Sequence, residues 1–475
     1  MVESGKHGPV KTLCSGEKLQ FQACGSRSVE ANFDAGRVTS DGGLLLLRQL
    51  DCQVGLTKSL ADCFTDHRNA SLIEHTVSEL VAQRVMGLVA GYEDLNDHDT
   101  LRDDVAFALA AGKEDVTGMS RERKRDRGHA LAAHSTLNRL ELTPAHADAS
   151  HRYKKVVYDP EAMDRLLVNL FLDAHKSAPQ QIVLDVDATD DPLHGKQEGR
   201  FFHGYYRSYC YLPLYVFCDG FPLCARLRTS NIDGAYGTVE EVQRIVAQLR
   251  ERWPTVRIIL RGDSGFAREN LMAWCENNSV DFVFGLAKNS RLTKHLDRQY
   301  QRLESDPELK RLYREFRYET LKTWSRKRRV IGKAEYTGDK ANSRFVVTTL
   351  RKKEIDAPDL YEKLYCARGD MENRIKEQQL AMFADRTSTH TMRANQLRLY
   401  FSTFAYLLLH LFRGMGLTGT DLAGAQCDTI RLRLIKLGAV IRVSVRRVYF
   451  ALSSVFPAQA LFRQVQQNLS RAAPS

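Results

Sequence analysis

Apolar positions along the chain change their spacing, and the changes mark out its elements. Between Thr76 and Ala90 they fall at Val77, Leu80, Val81, Val85, Leu88 and Val89, one face of an amphipathic helix. Helices are also predicted at the run Leu44–Leu47, with Asp41 near its cap, over Asp99–Ala111, and over Leu131–Leu140. Residues 1–40 read as irregular, with short strand-like pieces such as Leu19–Ala23.

Between 178 and 285 the spacing shortens to that of strands. Gln181–Asp187 reads as a strand, Tyr211–Phe217 and Pro222–Leu227 as a hairpin around the turn Asp219-Gly220, Val256–Leu260 and Val280–Gly285 as further strands, with helices over Thr238–Arg252 and Glu269–Asn278. Three more strands, Tyr313–Tyr318, Arg329–Tyr336 and Phe345–Leu350, alternate as an antiparallel insertion. The apolar run Phe404–Phe412 is too short to span a bilayer and carries His410, so it is expected as a core helix, with no membrane partner. The expected fold class is α/β: a mixed sheet flanked by helices, interrupted by an antiparallel β insertion, behind a helical N-terminal region. The expected division is a helical region at 1–150, two parts of one core at 151–290 and 358–415, the β-rich insertion at 291–357 between them, and a basic C-terminal region at 416–475.

Charge narrows the class of partner. The net charge is +11, and from Arg386 onward twelve Lys and Arg face two Asp and no Glu. That tail includes Arg442, Arg446 and Arg447, and it is the expected place for contacts to a phosphate backbone or to another subunit. The connector Arg121–Arg127 is also basic; with the helices beside it, it suits a DNA-reading module or, equally, plain helical packing with a solvated loop. Ten single cysteines form no C-x-x-C motif, which excludes a zinc ribbon or a thioredoxin-like site. Their expected state is free thiol in a reducing cytoplasm, and the polar amino terminus does not read as a signal peptide.

Candidate chemistry sits on three carboxylates. Asp187 and Asp263 each follow an apolar run, Ile182–Leu184 and Ile258–Leu260, and Glu372 lies on a predicted helix. Asp185 and Asp187 alternate with Leu184 and Val186 and so share a side of their strand. With Asp190 and Asp191 they crowd four acids into seven residues, which a cation would compensate and which solvated acids at a strand end would also explain. Tyr365, Arg368, Glu372 and Lys376 form one helical stripe, either a salt-bridged face or a carboxylate with phosphate-binding neighbours. The stretch Lys322–Arg329, with Arg326 and Arg329, is strongly basic and carries one aromatic, Trp324.

The motifs Leu184-Asp-Val-Asp187, Tyr209-Cys-Tyr-Leu-Pro213, Leu227-Arg-Thr-Ser-Asn231, Arg261-Gly-Asp-Ser-Gly-Phe266 and Tyr365-x-x-Arg368-x-x-x-Glu372 together resemble the DDE transposases of bacterial insertion sequences, in the branch with a β-rich insertion before the Glu. The likeness runs from about Phe33 to about residue 455. It implies an RNase H-like core in which Asp187 bridges two Mg²⁺ ions, with Mn²⁺ as a substitute, and Asp263 and Glu372 each complete one. It implies double-stranded DNA as partner (transposon ends and target), cleavage followed by strand transfer, a homodimer in the synaptic complex, and a bacterial cytoplasm with nucleoid association. Tyr365, Arg368, Lys376, Trp324, Arg326, Arg329, Arg446 and Arg447 are the implied phosphate or DNA contacts. The sequence departs from the family where Lys often follows the Glu by seven residues: here that position is Gln379, with Lys376 one turn earlier.

Two other readings compete. Asp185-Val-Asp187-Ala-Thr189 also fits the D-x-D-x-T signature of haloacid-dehalogenase-like phosphatases, with Asp185 as nucleophile and Asp187 as acid/base. A DNA-binding protein without chemistry would share the basic tail but has no need of all three carboxylates.

Overall fold

The computed structural model of the protein describes residues 18–306 and 308–472. Its main sheet contains β1 (Gln181–Ala188), β2 (Leu214–Cys218), β3 (Phe221–Arg226), β4 (Arg257–Gly262), β5 (Asp281–Leu286), β6 (Arg311–Tyr318), β7 (Arg328–Thr337) and β8 (Arg344–Thr348). These eight run in the order β3-β2-β1-β4-β5-β8-β7-β6, and the short strand Lys340–Ala341 pairs with β7 as a ninth. Strands β1, β4 and β5 are parallel, and antiparallel neighbours flank them on both sides. The sheet is open and mixed, as the pattern predicts. The strands of the predicted insertion join it edge-on through β8, which pairs with β5.

Two apolar layers sandwich the strands, and alternate residues divide between them. Ile258 and Leu260 of β4, Phe282 and Phe284 of β5, and Ile182, Leu184 and Val186 of β1 enter the larger core. Ile259 and Val283 enter a smaller one, against which Val183 packs, together with Ile331, Val346, Leu360 and Tyr361. Burial on both faces explains why these strands read as unbroken apolar runs. The larger core continues into helices α1 (Leu44–Val54), α2 (Val77–Ala90), α3 (Pro160–Asp173), α4 (Thr238–Arg252) and α5 (Glu269–Asn277), and into α7 (Met392–Met415), with α6 (Gly369–Lys376) preceding it in the chain. Helix α7 holds the run Phe404–Phe412 and is buried along nearly its whole length. None of the described helices is long and apolar enough to cross a membrane.

Local sequence accounts for most ends. Thr76 and Glu79 cap α2 reciprocally, the Thr76 hydroxyl accepting from the Glu79 N–H and the Glu79 carboxylate from the Thr76 N–H. Asp219 and Gly220 both take positive φ, 49° and 84°, and close the β2–β3 hairpin. Two expectations fail. The helix predicted over Asp99–Ala111 is split into His98–Leu101 and Val105–Ala110, because Asp104 accepts from the N–H of Ala106 at 2.7 Å and starts a new helix. Asp41 does not cap α1 with its side chain: the carboxylate is buried, accepts from the Tyr92 hydroxyl at 2.9 Å and pairs with Lys436 at 2.8 Å.

The C-terminal region is woven into this body. Strand Arg37–Thr39 pairs with Ala439–Ser444, which pairs in turn with Arg447–Leu452. Leu422, Ile430, Leu434, Ile435, Val465 and Leu469 belong to the larger core.

Candidate active site

Strand register brings the first two carboxylates together. Along parallel β1 and β4, Arg261 lies beside Asp185 and Gly262 beside Val186, so the next step sets Asp263 beside Asp187. Asp187 is the next-to-last residue of β1 and Asp263 lies just past β4, at the C-terminal ends of parallel strands, where open α/β sheets bind ligands. Both also share the parity of Val183 and Ile259, so they face the smaller apolar layer. That layer is roofed by Leu360, Tyr361, Leu364 and Tyr365, the turn that leads into α6 and Glu372. Sequence-distant elements are thus stacked with their acids on one side.

The roof is an irregular helix. Two π-helical turns, Leu360–Tyr365 and Glu377–Ala381, bracket α6. Wide turns of this kind re-aim side chains within a helix and recur at functional sites. The Tyr365 hydroxyl packs onto Gly285 so closely that a Cβ there would stand 2.5 Å from it and 2.8 Å from the Ser264 backbone nitrogen. Glycine at 285 is what lets this tyrosine reach the floor beside Asp263. Burial raises the Tyr365 phenol above its ordinary range, Arg368 opposes the rise, and the Asp263 charge adds to it.

Arg368 stands between two of the acids. Its guanidinium lies 2.6 Å from the Glu372 carboxylate and 3.5 Å from that of Asp187. The third acid, Asp263, accepts from the Gly265 N–H at 2.8 Å, which fixes its carboxylate at the start of a short turn. Burial pushes the Asp187 carboxyl up to about 7; Arg368 pulls it down, and the charges of Asp263 and Glu372 push it further up. Asp187 thus lies within reach of the charges of Arg368, Asp263 and Glu372.

Their donor chemistry fits a hard divalent cation, which takes carboxylate oxygens. Their spacing does not yet do so: among the described residues no three His, Cys, Asp or Glu side chains stand close enough to hold one ion. Glu372 is turned to Arg368 instead.

A second ion pair underlies the site, and sequence reading did not single it out. Arg261 grips buried Asp185 through Nε–Oδ1 at 2.5 Å and a second N–H to Oδ2 at 2.7 Å, and its third nitrogen donates to the Leu364 carbonyl. One guanidinium so ties β1, β4 and the roof. This removes Asp185 from the role of phosphatase nucleophile, because both its oxygens are engaged. The only sequence signal was the charge of Arg261 at the end of an apolar strand.

The remaining candidates divide. Lys376 is exposed and has no ion pair among the described residues. Gln379 donates to the Asp190 carbonyl at 3.0 Å and so fastens the loop after Asp187. Glu377 is buried between Arg374 and Arg413, at 2.9 and 2.5 Å, and accepts from the Cys427 N–H, so it cannot stand in for Glu372. Trp324 packs edge-on against Tyr318 with centroids 5.8 Å apart, beside Arg328, and is half-buried. Arg326 is exposed near Glu276. Arg329 is a correction: it is buried, pairs with Glu315 at 3.0 Å and donates to the carbonyls of Leu350 and Ile355, which leaves no donor facing a phosphate. Arg446 and Arg447 are exposed at the turn of the C-terminal hairpin.

Comparison with known proteins then identifies the chain's relatives. Residues 21–474 match the family model described as transposase DDE domain group 1. Among solved structures, the cryo-EM structure of the piggyBac transposase synaptic complex with hairpin DNA aligns with 92% of this chain and 86% of that one, at 12% identity and a TM-score of 0.40. No curated protein matches the sequence. With the family match spanning nearly its whole length, the chain belongs to the DDE-domain transposases of group 1.

Proposed function

We propose that Asp187, Asp263 and Glu372 are the carboxylates through which this DNA transposase cuts and rejoins DNA, and that Mg²⁺ is the ion they hold. Family membership supplies the activity and its dependence on a divalent metal. The observation that carries the residue assignment is the register of β1 and β4, which sets Asp187 and Asp263 side by side under the helix of Glu372.

When bound, the divalent cation polarises the phosphodiester and eases deprotonation of the attacking oxygen. The chain's own residues do the rest. Asp187, which Arg368 and the other two acids surround, would hold the ion from the floor once deprotonated. Asp263 is held by Gly265 in a fixed direction. Glu372, half-buried and paired with Arg368, would have to turn from that partner to reach the ion. Arg368, released from Glu372, meets the phosphate with its planar fork, and Lys376 adds a mobile point charge one turn on. Tyr365 and the Arg261–Asp185 clamp keep roof and floor in contact while this happens. Hydrolysis at the transposon end and attack of the freed 3′-hydroxyl on target DNA are both in-line displacements at phosphorus, so one set of carboxylates serves both. Two ends must be cut and joined, which two copies of the chain would accomplish as a homodimer.

The test is nicking of a plasmid that carries the DNA flanking the chain's own coding sequence. Nicking with Mg²⁺ or Mn²⁺, abolished by chelation, is expected. Cleavage that survives full chelation would sink the metal assignment. Hydrolysis of small phosphomonoesters without any DNA cleavage would favour the phosphatase reading.

A further inference from the structure

A basic cavity of about 590 Å³ opens in the N-terminal region, and none of its lining residues belongs to the carboxylate site. Its walls come from the segment Arg68–His75, the connector 121–129 and the stretch 131–156, together with Leu80 and Arg102. Eight Arg and Lys side chains line it against two acids, Glu74 and Asp126. Glu74 is shared by Arg121 and Arg123, and Asp126 lies 3.6 Å from Arg125. Arg139 and Arg152 have no carboxylate partner among the described residues. Both guanidiniums instead lie over the exposed ring of Tyr153, at 4.8 and 4.9 Å from its centroid.

Two like charges on one ring repel, and the ring's attraction offsets that only in part. An anion between them removes the repulsion, and a guanidinium's planar fork matches phosphate oxygens. The field is felt below the surface as well. Buried His75 is pushed down to about 3, first by burial and then by Lys113, Arg121 and Arg68. The connector that forms one wall is ordered: Arg121 donates to the His129 carbonyl at 2.9 Å, and the Gly128 N–H to Gly118.

We propose that this cavity grips the phosphodiester backbone of the DNA substrate, with Arg139 and Arg152 as its phosphate ligands and Tyr153 as the ring on which both rest. The assignment rests on the reading of the chain as a DNA transposase. It gives the enzyme a purchase on DNA beyond the reacting phosphate.

The experiment measures duplex binding in EDTA, where no cleavage occurs, over a series of salt concentrations. Each lost phosphate contact lowers the slope of log K against log salt by about 0.9. R139A/R152A is expected to lower it by about two contacts' worth, and R139K/R152K to restore most of it, since charge is kept. A second readout avoids any question of folding: in the wild-type chain, bound duplex should protect Arg139 and Arg152 from an arginine-specific dicarbonyl reagent. An unchanged slope in folded R139A/R152A, or no protection, overturns the cavity assignment and leaves the carboxylate site untouched. If inorganic phosphate or a mononucleotide protects both arginines as well as duplex does at equal phosphate concentration, the site holds a free anion and the DNA assignment falls. A wild-type chain that binds no DNA overturns this inference and the proposed function together.

Discussion

Arg261 and Asp185 lie side by side on neighbouring parallel strands and are joined by two charge-assisted hydrogen bonds inside the sheet. The same guanidinium reaches the Leu364 carbonyl in the roof. Removing one partner of such a buried pair leaves an uncompensated charge, which costs about 3–5 kcal/mol. Arg261→Met should lose stability on that scale in chemical denaturation and lose cleavage with it. Asp185→Asn combined with Arg261→Met should recover much of the stability but little cleavage, because the tether to Leu364 is still gone. Full cleavage by the double variant would show that the clamp only stabilises.

Asp187 makes stability depend on pH in a defined direction. Its folded-state carboxyl is raised from 3.8 to about 7, with burial as the main cause. Between those values the folded chain holds a proton that the unfolded chain releases. The contribution is therefore fully present below 3.8 and is lost as pH rises through about 7. In EDTA, the melting temperature of Asp187→Asn relative to wild type should climb from pH 4 to pH 7 and level off above. A difference that stays flat, or falls, would contradict the buried, acid-crowded setting assigned to Asp187.

Arg329 and Arg326 are three residues apart and should behave oppositely. Arg329→Ala should destabilise by about 3 kcal/mol, since it removes a buried guanidinium and strips half-buried Glu315 and two carbonyls of their donor, and leave the salt dependence of DNA binding alone. Arg326→Ala should change stability by less than about 0.5 kcal/mol, as expected of an exposed side chain. Denaturation curves and salt titrations on the two variants decide this.

The C-terminal hairpin offers a cleaner probe of its basic residues than truncation does. Cutting the chain after Leu417 would remove Ile430, Leu434, Val465 and other members of the core, so loss of DNA binding would report unfolding. Arg446→Ala with Arg447→Ala touches only the exposed turn. We expect the salt slope to drop by about two contacts' worth with melting unchanged. An unaltered slope would assign the hairpin to a role other than backbone contact.

Sequence carried the sheet well, because a strand buried on both faces is apolar at nearly every position. Asp187 and Asp263 stand out against such runs, which is what made them candidates. Partners set by register between distant strands left no local mark, so Arg261 looked like any charged strand end. The need for glycine at 43 was likewise not local: a Cβ there would fall 1.9 Å from the Leu434 carbonyl oxygen, a contact with a segment nearly four hundred residues away. Asp104 split a helix that apolar spacing alone ran together. Arg329 sat in a basic stretch whose charges looked equivalent, and only the fold separates the buried one from its exposed neighbours.

The most direct test of the account is cleavage of end-bearing DNA by Asp187→Asn, Asp263→Asn and Glu372→Gln, each at saturating DNA with Mg²⁺. All three should bind DNA as the wild type does, and none should cleave it measurably. Wild-type cleavage by any one of them would contradict the claim that these carboxylates act as a single site.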